Sequence, residues 1–117
     1  MLQLAVAVFG VGALGGLVLA ASVLRGRLAP WALSLLHAAL GATGLVLTAL
    51  VLFRASGAAP AHTGLALLLL VVAALGGFFL ASFHMRGQPG PKPVVLIHAG
   101  VAVIGFVLLA GGAFSLF

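Results

Sequence analysis

Residues 13–44 read ALGGLVLAASVLRGRLAPWALSLLHAALGATG, and residues 74–105 read ALGGFFLASFHMRGQPGPKPVVLIHAGVAVIG. The two stretches lie 61 residues apart and align without a gap. Carried outward, the same offset pairs residues 1–56 with residues 62–117, and 20 of those 56 positions are identical. Squared residue frequencies give roughly eight identities by chance, so the excess reads as a duplication. The matched positions include Ala13-Leu14-Gly15-Gly16 with Ala74-Leu75-Gly76-Gly77 and Arg25-Gly26 with Arg86-Gly87. Pro30 also matches Pro91, His37-Ala38 matches His98-Ala99, and Gly44 matches Gly105. A polar residue kept in both copies of an apolar repeat is the strongest functional lead in the chain.

Of the 117 residues, 65% are hydrophobic and 4% charged. That composition lies far outside the range of soluble domains. Four apolar stretches, about Leu2–Leu24, Trp31–Phe53, His62–Phe83 and Pro93–Leu116, each reach the roughly 20 residues that cross a bilayer. They predict an all-α fold, an integral membrane four-helix bundle forming a single transmembrane domain over residues 1–117. Two tandem helical-hairpin repeats, 1–56 and 62–117, would build it. Each repeat has two spans, so both copies share one orientation and would be related by a pseudo-twofold along the membrane normal.

The expected connections are Arg25–Pro30, Arg54–Ala61 and His84–Lys92. Pro30 and Pro91 stand where the following helices begin, a place where a missing N–H is tolerated. Arg25, Arg27, Arg86 and Lys92 fall on one side of the membrane and only Arg54 on the other. The positive-inside rule therefore puts the first and third loops in the cytoplasm and both termini outside it, in what we expect to be a bacterial inner membrane. The first span carries no basic residue before its apolar run, unlike a secretory signal, and is expected to be retained. The net charge of +5 does not suggest nucleic acid, because the cations sit singly at helix ends and build no basic surface.

His37 lies six residues beyond Trp31, and His98 six beyond Lys92, which puts both about 9 Å inside their spans. Ionisable groups at that depth are costly and usually face a bundle interior with a partner. The expected twofold would let the two imidazoles face each other as axial ligands of one haem iron. Gly44 and Gly105 follow the histidines by seven residues, almost two turns, and would open a groove on the same face for a flat ring. Arg25, Arg27, Arg86 and Lys92 lie on the same side and could hold the haem propionates. The bland alternative is that each histidine only bonds Ser34, Thr43 or a backbone group on a neighbouring helix. A chlorophyll or a quinone are further occupants of such a site. His62 and His84 align with Met1 and Val23, so the repeat does not keep them. Small residues at Gly12, Gly16 and Ala20, and at Ala73, Gly77 and Ala81, read as helix-packing seams.

Four spans with a facing histidine pair resemble membrane b-type cytochromes in architecture. Those proteins usually carry more histidines in their spans and larger loops, and the resemblance brings no motif with it residue by residue.

The chain has no Asp, Glu or Cys. That removes carboxylate proton relays, carboxylate and thiolate metal sites, disulfides and Ser-His-Asp chemistry. No catalytic residues are expected, and the chain would be at most a non-catalytic electron-transfer subunit. The reading is a small membrane subunit of a larger respiratory or photosynthetic complex, contacting lipid and other membrane subunits, with a b-type haem between His37 and His98. The alternatives are a cofactor-free structural accessory subunit, a (bacterio)chlorophyll- or quinone-binding subunit, and a small transporter or channel. Nothing outside the bilayer is large enough to take a soluble substrate. Cysteines placed at Ser56 and Gly87 are expected to be labelled from opposite sides of a sealed membrane. Labelling from a single side would remove the four-span topology.

Overall fold

A backbone in hydrocarbon has to satisfy its own hydrogen bonds, which a helix does within one segment. The computed structural model, which describes residues 1–117, accordingly consists of four helices. They are α1 (Leu2–Leu24), α2 (Trp31–Ala55), α3 (Thr63–Met85) and α4 (Lys92–Ala113). All four are long and apolar enough to cross a membrane. A helix of this length spans about 34 Å, and the bundle measures 44 × 21 × 19 Å. These are the dimensions and composition of an integral membrane protein, with lipid as its surroundings.

The ends show why the helices stop. Gly26 and Gly87 adopt φ of +72° and +71°, a conformation that favours glycine. The next amides then turn back, Arg27 N–H to the Ser22 carbonyl (2.8 Å) and Gln88 N–H to the Phe83 carbonyl (3.0 Å). This is the Schellman stop, and it explains the Arg-Gly pair that follows α1 and α3. Five helix ends differ from the sequence expectation, among them the start of α4 at Lys92 rather than Pro93. Helix α2 continues through Arg54 to Ala55, because a long cationic side chain at a helix end can reach the membrane surface. Helix α3 starts at Thr63, since His62 has φ 72° and is not helical, and it runs on through His84 to Met85. Helix α4 ends at Ala113, where Ser115 turns left-handed (φ 54°) and the Leu116 amide bonds back to Gly111.

The helices form a ring. Helix α1 packs on α2 and α4, α3 packs on α2 and α4, and the diagonal pairs α1/α3 and α2/α4 do not pack on each other. Large side chains point outward: Leu14, Leu75 and Phe53 are 66%, 64% and 86% exposed. The buried positions are mostly small, among them Ala5, Gly12, Gly44, Ala66 and Ala73. In lipid there is no drive to hide leucine, so close approach of backbones decides what goes inside.

Packing is uneven along the bundle. At the end holding the termini, Leu2, Ala5, Val6, Ala66, Leu70 and Leu109 form a dense core. Phe9, Leu45 and Phe106 pack over it. Above that floor, toward the end bearing the first and third loops, the centre opens into a cavity of about 360 Å³ lined by all four helices.

Gly44 and Gly105 belong to the packed part. A Cβ on Gly44 would come within 2.6 Å of the Phe9 ring, and one on Gly105 within 2.9 Å of Leu70 Cγ and 3.3 Å of the Ala66 carbonyl oxygen. The groove expected over these two glycines is filled by Phe9 and Leu70, since two histidine-sized steps along each helix reach the floor of the cavity. Gly105→Ala is therefore expected to lower stability by about 1–3 kcal/mol through overpacking. Gly100→Ala, with nothing within 4 Å, should be neutral or slightly stabilising. Thermal unfolding in detergent checks the contrast, and equal midpoints would remove it.

Candidate functional site

Both repeat-kept histidines project into the cavity. They stand on α2 and α4, the diagonal pair whose backbones do not touch, and their side chains bridge the gap. The ring centroids are 6.2 Å apart and the ring planes cross at 82°.

Each imidazole is fixed from one side by the neighbouring helix of its hairpin. His37 Nδ1 lies 2.8 Å from the Gly12 carbonyl oxygen, and His98 Nδ1 lies 2.7 Å from that of Ala73. A carbonyl oxygen only accepts, so each Nδ1 carries the proton and donates. In a neutral ring Nε2 is then the bare lone pair, and neither Nε2 has a hydrogen-bond partner within the protein. Fixing Nδ1–H on a carbonyl is the usual way a metal-binding histidine is oriented. Room for the rings comes from glycine. A Cβ on Gly16 would sit 2.8 Å from His37 Cε1, and one on Gly77 would sit 3.1 Å from His98 Cε1. The seams at Gly12–Gly16 and Ala73–Gly77 thus seat imidazoles as well as helices. The sequence marks them only as packing positions, although Gly16 and Gly77 lie 61 residues apart, the same separation as His37 and His98.

Of the hydrogen-bond partners expected from sequence, the backbone is the one used. Thr43 donates to its own helix at Ala39 (2.8 Å). Ser34 is taken by a different histidine: Ser34 Oγ lies 2.6 Å from His84 Nδ1, and His84 Nε2 donates to the Ala29 carbonyl at 2.7 Å. The Trp31 ring meets the His84 ring edge-on at 5.1 Å. This cluster joins α3 to the start of α2. Sequence reading passed over His84 because the repeat does not keep it. The polar Ser34, itself unmatched in the second copy, was the available signal. His62 caps the start of α3 at the opposite end and is exposed.

Arg25, Arg27, Arg86 and Lys92 are all exposed and ring the open end of the bundle. Arg25 Nε donates to Ala21 and Arg86 Nε to Ser82, each at 3.1 Å, and the Arg86 guanidinium lies 4.8 Å over the Phe83 ring. These contacts use the free carbonyls at helix C-termini. With no acidic side chain in the chain, the cations have no internal counter-charge.

No three histidine, cysteine or acidic side chains converge anywhere. An ion held by side chains alone would lack donors here. Two opposed imidazoles suit instead a metal that brings its own equatorial ligands, as a tetrapyrrole iron does. Two rings bound through Nε2 to opposite faces of one metal, with bonds of about 2 Å, have centres about 6 Å apart. The observed centroid separation of 6.2 Å is of that size, with the two rings meeting edge-on at 82°.

No protein-family model, curated protein or solved structure matches the chain. The functional reading therefore rests on the site itself.

Nitrogen NMR of histidine-labelled, cofactor-free protein is expected to find the proton on Nδ1 at His37 and His98. Gly16→Ala should displace the His37 signals, whereas Gly41→Ala, in open space, should not. A protonated Nε2 at either wild-type residue would overturn the tautomer assignment.

Proposed function

We propose that this protein is a small membrane subunit of a respiratory or photosynthetic assembly that holds one b-type haem between His37 and His98. The observation that carries the reading is the pair of imidazoles 6.2 Å apart in one shared cavity, each tied down at Nδ1 and without a hydrogen-bond partner at Nε2. Gly16 and Gly77 would clear the space beside the ligands. Arg25, Arg27, Arg86 and Lys92 would hold the propionates at the open end, where bidentate carboxylate binding suits arginine. The bound group would supply one-electron chemistry, and the chain would keep the ring dry and oriented. A role as a subunit is supported by the short loops between the helices, which present little surface to a soluble substrate.

The internal duplication belongs to the same proposal, with a pseudo-twofold along the membrane normal. Its support is the equivalence of the two histidine contacts, each spanning 25 residues and displaced by 61. The orientation with both termini outside the cytoplasm, in a bacterial inner membrane, follows from the four cations at one end.

A second reading is favoured by the same hydrogen bonds. His37 ties α2 to α1, and His98 ties α4 to α3, so both could serve a cofactor-free accessory subunit as glue worth about 0.6–2 kcal/mol each. Absorbance of the purified protein separates the two. Haem gives a Soret band with reducible α and β bands. His37→Ala or His98→Ala should abolish or convert the low-spin spectrum, with similar effect, and His62→Ala should leave it unchanged. A folded but colourless protein would leave the accessory reading standing. A red-shifted band whose two halves are lost independently would mean one (bacterio)chlorophyll per histidine.

A further inference from the structure

The Ser34–His84 pair plays no part in holding a haem, and it breaks the internal repeat. At the 61-residue offset Ser34 becomes Val95, His84 corresponds to Val23, and Trp31 becomes Lys92. The seam between α1 and α4 therefore carries two valines where the seam between α2 and α3 carries a hydrogen-bonded pair. A polar pair inside a membrane bundle is costly, so its appearance on one seam alone calls for a use.

The location suggests the use. Ser34 and His84 line the central cavity at its open end, nearer the basic rim than the His37–His98 pair. His84 also lines a second, more open pocket with Trp31, Met85 and Gly87. The imidazole thus borders both the central cavity and this second pocket at the end of α3. Its chemistry is directional. The Ala29 carbonyl can only accept, so His84 Nε2 carries a proton, and the neutral ring presents Nδ1 as an acceptor. Ser34 then donates its own proton to Nδ1 over 2.6 Å. What Ser34 Oγ has left is acceptor capacity, which selects a ligand that donates. A ligand reaching this point from the bilayer has to be lipid-soluble.

We propose that Ser34 and His84 bind the hydroxyl of a lipid-soluble hydroquinone at the α2–α3 seam, with its O–H donating to Ser34 Oγ. The choice of a hydroquinone among lipid-soluble hydroxyl compounds rests on the haem reading, because an electron-transfer centre buried in a membrane needs a donor that travels in the membrane. The oxidised quinone has carbonyls where the hydroquinone has hydroxyls, and it finds no free donor at Ser34.

Trp31 is the only tryptophan and touches His84, so its emission reports the site whether or not haem is present. Anaerobic titration of the purified protein with a short-chain hydroquinone should give a saturable change in that emission. The oxidised quinone should bind about tenfold more weakly, as should the hydroquinone to Ser34→Ala and His84→Phe, for loss of one buried hydrogen bond. Ser34→Thr keeps the hydroxyl and should keep the affinity, which separates recognition from a folding defect. The dimethyl ether of the same hydroquinone, which keeps ring and tail but has no hydroxyl to donate, should not saturate. Equal affinities for wild type and Ser34→Ala, equal affinities for the reduced and oxidised forms, or equal affinities for the hydroquinone and its dimethyl ether would each overturn the proposal. The Soret band of the same samples tells the two ideas apart. Saturable binding without it would remove the haem and keep this site, and a Soret band without binding would do the reverse.

Discussion

An imidazole buried in hydrocarbon must give its N–H to something, and this chain offers no carboxylate to receive it. The central region is arranged around that constraint. His37 and His98 turn to main-chain carbonyls of the preceding helices, at Gly12 and Ala73. A carbonyl already bonded within its helix keeps a second lone pair for such a donor, but a side chain reaches it only where the helix surface is bare. Glycine and alanine at residues 12, 16, 73 and 77 provide that bare surface. The small-residue seams, the pairing of helices into hairpins and the orientation of both rings thus have one origin.

The consequence of a bare surface is empty space. Helices α2 and α4 lie diagonally across the ring, and the small residues around the histidines leave the cavity of about 360 Å³ between them. Phe9, Leu45, Leu70 and Phe106 close it below, over the dense core at the end of the termini. Dense packing and open space are therefore separated along the bundle axis. One end is packed tightly enough to hold the bundle, and the other is left open around its polar groups. A volume in the range of small-molecule sites, walled by helices and reached past a ring of cations, agrees with an occupant that is flat, apolar and negatively charged at one edge.

The two halves of the chain are alike in what they do with their histidines and unlike in how they seal against each other. Val23 and Val95, the residues at the positions corresponding to His84 and Ser34, line the cavity from α1 and α4 with apolar side chains. Ser34, His84 and Trp31 close the α2–α3 seam with hydrogen bonds and an edge-on ring contact.

Helix number, span limits to within a few residues and the placement of His37 and His98 inside their spans were legible in the sequence. Each depends on local chemistry: apolar length and the position of a residue along a helix. The role given to Gly44 and Gly105 was not legible, because periodicity says which face a glycine shares but not that Phe9 and Leu70 of other helices fill it. Nor was Gly16 recognisable as the seat of an imidazole, since a glycine that admits a helix and one that admits a ring look alike in sequence. Ser34 and His84 are 50 residues apart, and the repeat pairs neither with the other. The sequence by itself determined four membrane-spanning helices with two buried histidines. Only the tertiary structure decided which helices lie diagonally, and hence that the two imidazoles meet while Ser34 turns to His84, because those contacts depend on how the hairpins dock and not on any residue's local preference.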